Sequence, residues 1–156
     1  MNRKLLGVDR AGSTLSYVRE IDIPRSADDV FAFCSDLRNE LRWNPDAKSI
    51  ELLTDPPIGV GTRFRARWTG APSAVVEIVA WDPPRSWETR SRTMGMEART
   101  VGLVEPTAGG SRYRITVELR PSRITQLLAR LAIGMMERRE DRNMARIRAS
   151  LSNANP

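Results

Sequence analysis

Few kinds of residue in this chain can do chemistry. Its 156 residues include no histidine and a single cysteine, Cys34. That removes the usual general base near neutral pH, the Ser-His and Cys-His nucleophile arrangements, and the commonest metal ligand. One cysteine without histidine argues against a zinc site, and neither a metal nor a cofactor is expected. Lys4 and Lys48 are the only lysines among 25 basic residues. The first falls in an N-terminal tail and the second at a strand start, which disfavours Schiff-base chemistry. Any catalysis therefore rests on arginine, tyrosine, hydroxyl groups and carboxylates. The catalytic candidates are Arg19, able to stabilise an enolate, and Tyr113, able to relay a proton. A competing reading has the Arg19 head reaching out to solvent from its strand. Cys34 reads as a small core residue.

The elements that must position these groups follow from hydrophobic period. Residues 1–14 lack periodicity and read as a flexible tail, leaving 15–152 as a single domain. Ser16 to Ile23 alternates as a strand and stops at Pro24. Ser26 can cap the next helix, with Asp28 and Asp29 in its first turn, where the helix dipole favours negative charge. Val30, Phe31, Phe33, Cys34 and Leu37 form its apolar stripe. A second short helix, Leu37 to Trp43, must end before Pro45.

From Ala47 the period becomes two. Strands are predicted near 48–54, 62–69, 73–81, 86–92, 96–105 and 111–120, separated by Pro- and Gly-rich turns such as Asp55-Pro56-Pro57, Asp82-Pro83-Pro84 and Gly109-Gly110. Such short connections favour antiparallel hairpins. A long helix covers Ile124 to Leu151, with Leu128, Leu131, Met135, Met144, Ile147 and Leu151 as its apolar stripe. An α+β domain follows: a seven-stranded bent antiparallel sheet wrapped around a long C-terminal helix, with two short helices after strand 1.

Alternation also sorts the sheet faces. Every strand carboxylate, Glu20, Asp22, Glu51, Glu77, Glu88, Glu97, Glu105 and Glu118, falls on the outer face. There the glutamates stand beside arginines and can pair with them across strands. The inner face is apolar with a few hydroxyls, plus Arg19. Its small residues are Ala66, Ala80, Ala98 and Gly102. Trp43, Phe64, Trp68, Val76, Ile78, Trp87, Thr89, Met96, Thr100, Tyr113, Leu131 and Met135 are the candidate ligand-contacting residues around one concavity. Adaptable methionines and aromatics suit such a lining. Trp43, at a helix end before Asn44-Pro45-Asp46, reads as the lid of that concavity in preference to a core plug. An interior without carboxylate or imidazole is poorly equipped for acid–base catalysis and suits an apolar ligand.

Hydrophobic residues make up 40% and charged residues 28%, ordinary for a globular domain. No apolar run approaches the ~20 residues of a membrane span, so a cytoplasmic protein is expected. The net charge of +6 and pI of 10.6 raise the question of nucleic acid. The arginines are dispersed among acids, however, so a solvated surface is favoured and no nucleic-acid partner is expected. An interaction module using the basic surface or the Arg130, Arg138, Arg139, Arg142 and Arg146 side of the long helix is the remaining alternative.

The chain also resembles a known family. VREIDIPRSADDVFAFCSD (18–36), RWNPD (42–46), IGVGTRFRARW (58–68), VEIVAWDPPRSWETR (76–90) and VEPTAGGSRYRITVEL (104–119) before the long helix are similar to the START/Bet v 1-type (SRPBCC) helix-grip superfamily, in its bacterial polyketide cyclase/dehydratase-like branch. The resemblance implies a cavity between sheet and C-terminal helix that binds a lipid, sterol or polyketide-like molecule, with Trp43 near its mouth. The alternative it implies is a polyketide cyclase, aromatase or dehydratase acting in the same cavity. No shared catalytic residues carry over, and fold alone does not set function. A monomer or homodimer is expected.

Overall fold

Ser26 starts the first helix. Its backbone is extended, with ψ at 157°, and its hydroxyl accepts from the Asp29 N–H at 3.2 Å, which satisfies one of the donors a helix start leaves open. The computed structural model describes the backbone of residues 7–8, 14–93, 95–124 and 126–153. In it β1 (Gly7–Val8) and β2 (Leu15–Ile23) lead into α1 (Ala27–Ser35). The expected second helix divides into a 3-10 turn, Leu37–Asn39, and one α-helical turn, α2 (Glu40–Trp43). Then come β3 (Ala47–Leu52), β4 (Arg63–Trp68), β5 (Ala74–Asp82), β6 (Ser86–Thr93), β7 (Met96–Thr107), β8 (Gly110–Pro121) and α3 (Gln126–Asn153).

All neighbouring strands are antiparallel, in the order β1-β2-β8-β7-β6-β5-β4-β3. The seven predicted strands are present and form a curled sheet gripping α3. Within the predicted tail, Gly7–Val8 adds a short edge strand on β2, and residues 1–6 and 9–13 lie outside the described residues. Among the described residues no helix is long and apolar enough to cross a membrane.

One stretch of alternation fails. The register slips between Ile78 and Ala80, because a bulge inserts an extra residue and reverses which side chains face inward. Ala80, expected on the inner face, is exposed. Trp81 turns inward instead, its ring 4.9 Å from that of Phe31 in an edge-to-face contact.

The interior divides into three apolar clusters. The first joins Ile23, Val30, Phe31, Phe33, Trp87, Val104 and Tyr113 to Met144, Ile147 and Leu151 of α3. The second holds Ile50, Phe64, Ala66, Val76 and Ile78. The third holds Leu15, Tyr17, Val117 and Leu119. On α3 the stripe is as expected at Met144, Ile147 and Leu151, all under 7% exposed, whereas Met135 is 53% exposed. The side chains of Leu128 and Leu131 lie outside the described residues. Arg25 donates to the Leu151 carbonyl at 2.9 Å, occupying one of the acceptors that the last helical turn leaves free.

Candidate functional site

Between the three clusters, the middle of the inner face is less closely covered. Thr89 stands opposite Thr100, and Thr100 opposite Val117. Thr89, Ser91, Met96, Ala98, Thr100 and Ile115 are all only partly buried, although they share the face that α3 covers. At the ends of the same strands Trp87, Val104, Tyr113 and Leu119 are 5% exposed or less.

The aromatic candidates fall into two groups. Trp87 stacks on Tyr113 with ring centroids 5.9 Å apart and meets Phe31 edge-on at 5.5 Å. A Cβ on Gly102 would collide with the Trp87 indole, so glycine there is what lets the ring lie flat on β7. Phe64, Val76 and Ile78 are likewise buried. Trp43 and Trp68 are partly buried and carry their indole N–H groups into the interior. Trp68 Nε1 donates to Glu40 Oε1 at 2.8 Å. Trp43 Nε1 is buried without a hydrogen-bond partner.

Arg19 is 8% exposed and does not run out to solvent. Its Nε donates to Asp141 of α3 at 2.6 Å and its Nη1 to the Val18 carbonyl at 2.8 Å, while its guanidinium lies 5.7 Å from the Tyr17 ring centre. Tyr113 is enclosed, and burial pushes its phenol well above the usual range, helped by the nearby Cys34, Glu140 and Glu40. It therefore stays protonated at any ordinary pH.

The structure adds carboxylates that strand alternation could not show, because helices carry them. Glu40 on α2 is 9% exposed and accepts from Asn44 Nδ2 as well as from Trp68. Burial raises its carboxyl, with these two donors opposing. On α3, burial and then the neighbouring Glu40 raise Glu140 to about 7, against a hydrogen bond from Asn143 and the charge of Arg19. Two ion pairs fix α3 at this level: Arg19 with Asp141 at 2.6 Å, and Arg139 with Asp46 at 3.3 Å, just beyond α2.

With this geometry in view, comparison with known proteins is informative. Residues 14–152 match the family model described as "Polyketide cyclase / dehydrase and lipid transport". The chain belongs to this family. No curated protein matches the sequence significantly. Among solved structures, the di-domain ARO/CYC BexL of the BE-7585A biosynthetic pathway superposes with a TM-score of 0.75 at 14% identity, over 96% of this chain and 53% of BexL. A Rhodobacter sphaeroides protein gives 0.67 at 14% identity, over 98% of this chain and 100% of its own. Ara h 8.0201 gives 0.59 at 15% identity, over 88% and 97%. At these identities the likeness is one of fold, and the chain spans about half the length of the di-domain protein.

Of the set expected within this polyketide cyclase/dehydrase-type fold, Trp43 and Tyr113 lie at the first cluster and Trp68 at the second, Thr89 pairs with Thr100 across β6 and β7, and Arg19 reaches Asp141 of α3; strand parity missed Glu40, Glu140 and Asn143. A signal for Glu140 exists in the sequence: residues 140, 144, 147 and 151 follow the helical repeat of the buried stripe. Glu40 likewise lies three residues after Leu37 and three before Trp43. A groove of about 640 Å³ lies on the outer face, lined by Val75, Glu77, Arg92, Glu97 and Arg120 and reached also by Ser91 and Ala98.

Proposed function

We propose that the protein binds a hydrophobic small molecule, of lipid, sterol or polyketide type, in the space between the sheet and α3. The observation that carries this reading is the pair of inner-face threonines, Thr89 and Thr100, which stand opposite each other, only partly buried and outside all three apolar clusters. A face packed throughout against a helix would bury these residues as completely as its ends. Apolar walls with a few convergent polar groups are the common make-up of small-molecule sites. Membership of the polyketide cyclase/dehydrase and lipid-transport family supports the same ligand class. The outer groove, with arginines and glutamates in its wall, is poorly suited to an apolar molecule.

The second reading is turnover of that ligand, a cyclase, aromatase or dehydratase reaction. Glu40 and Glu140 favour it, since buried carboxylates with raised pKa values are suited to proton transfer at neutral pH.

Titration with fatty acids, sterols and aromatic polyketides, read by tryptophan emission, tests the binding reading. Trp43 and Trp68 border the proposed site, so binding at micromolar concentration is expected to quench or shift the emission. Unchanged emission across all three classes would count against it.

A further inference from the structure

One side of α3 is buried in the sheet and the other is left to solvent. Asn143, Met144, Ile147 and Leu151 are at most 6% exposed. At about 100° per residue, Leu127, Met135, Arg138, Arg142 and Arg146 gather on the opposite side, and all five are exposed. Along the helix this open face is divided. Its first part is apolar: Leu127 is 70% and Met135 53% exposed, and Ile124, two residues before α3 begins, is 91% exposed. Its second part is basic, with Arg138, Arg142 and Arg146 at the four-residue spacing that makes neighbours on one ridge. Among the described residues the ion pairs of α3 join Asp141 to Arg19 and Arg139 to Asp46, which leaves that ridge unpaired.

We propose that this face of α3 docks on an anionic lipid bilayer, with Ile124 and Leu127 inserted at the acyl boundary and Arg138, Arg142 and Arg146 on the headgroup phosphates. The inference concerns the outside of the molecule and does not depend on the interior ligand site. Large apolar side chains held open to water on one face mark a contact surface. A helix that joins them to a basic ridge suits the plane of a membrane interface. The guanidinium fork matches phosphate oxygens in a way that an ammonium does not. The division of the face also sets the pose. Leu127 and Arg146 lie roughly 30 Å apart along the axis, so a modest tilt carries the N-terminal end of α3 below headgroup level while the ridge stays at it. Arg120 and Arg123, exposed just before Ile124, then stand among the headgroups around the inserted end.

Charge favours the bilayer over other occupants. A second copy packed antiparallel over Leu127 and Met135 would set its Arg120 and Arg123 against the arginines of α3, and one packed parallel would set the ridge against itself. Either arrangement brings like charges together. Duplex DNA would engage the ridge and leave Ile124 and Leu127 in water. An anionic bilayer satisfies the apolar and the basic part at once.

Flotation of the protein with vesicles at about 150 mM salt is the test. Vesicles of phosphatidylcholine mixed with phosphatidylglycerol are expected to carry the wild-type protein, and vesicles of phosphatidylcholine alone to leave it behind. Replacing the ridge by Arg138→Gln, Arg142→Gln and Arg146→Gln together should weaken partitioning on the order of 100-fold, at about five-fold for each arginine near an anionic surface. Leu127→Asp should weaken it by at least about 10-fold, since it removes an inserted side chain and adds a repelled charge. Both variants change exposed positions, so their urea unfolding should match that of wild type. Absence of flotation with the mixed vesicles would overturn the proposal. So would flotation that survives Leu127→Asp, which would reduce the face to a ridge that holds any polyanion, DNA included. A lipid-free dimer in sedimentation that Leu127→Asp dissociates would assign the face to a second copy and overturn it equally.

Discussion

The Trp43 indole concentrates the residue-scale questions. It packs against the cluster of Phe31, Trp87 and Tyr113, yet buries a donor with nothing to bond. Phenylalanine removes that donor and keeps most of the ring. Loss of packing and relief of the unsatisfied N–H oppose each other, so Trp43→Phe should alter urea-unfolding stability by less than about 1 kcal/mol. Ligand affinity should fall by about 3- to 10-fold, the worth of one neutral hydrogen bond. A large stability loss with unaltered affinity would make Trp43 a packing residue only.

Glu140 makes a second prediction at this scale. Its folded pKa, about 7, lies above its ordinary value of 4.5, so the folded protein holds a proton that the unfolded chain releases. The stability this contributes is complete below about pH 4.5 and is lost as pH rises to about 7, by at most ~3 kcal/mol at 1.36 kcal/mol per pH unit. Urea unfolding between pH 5 and 8 should show that decline, and Glu140→Gln should flatten it. Equal slopes in both proteins would mean that Glu140 is not enclosed as described. Neither carboxylate was found by sorting strand faces, because α2 and α3 place them; the helical repeat that buries Met144, Ile147 and Leu151 runs through Glu140.

Among the elements, strand count, hairpin order and the Ser26 cap were legible because turn residues and alternation are local signals. The bulge between Ile78 and Ala80 was not. A one-residue insertion leaves composition untouched while exchanging the faces of all that follows in the strand, so alternation alone puts Ala80 on the inner face. Coverage of the strand centres by α3 depends on long-range packing, which alternation does not encode. The contact of β7 with β6 gives an element-scale prediction. Gly102→Ala would press a methyl group into the Trp87 ring and disturb its stacking on Tyr113. Overpacking of this kind typically costs ~1–3 kcal/mol, and thermal or urea unfolding would show it. An alanine variant as stable as wild type would mean that the indole does not lie against β7.

At the scale of the whole molecule, the charge of the sheet lies on its outer face and the proposed ligand site on the inner one. Several outer arginines are matched to acids: Arg112 to Asp22 at 2.8 Å, Arg114 to Glu20 at 3.0 Å, and Arg99 to both Glu88 and Glu118 at 2.7 and 3.2 Å. Such pairing offsets the charge of these arginines locally, within a chain of net charge +6. Duplex DNA should therefore not be retarded by the protein at about 150 mM salt; salt-resistant retardation would contradict this.

The ligand site itself is tested most directly by residue-resolved NMR of the ¹⁵N-labelled protein during titration with a ligand that quenches tryptophan emission. Shifts are expected to concentrate at the Trp43 and Trp68 indole N–H signals and at the amides of Thr89, Thr100 and Glu140, with the Trp43 indole proton moving downfield as it gains an acceptor. Shifts confined to Val75, Arg92, Glu97 and Arg120 would place the ligand in the outer groove and contradict the interior site.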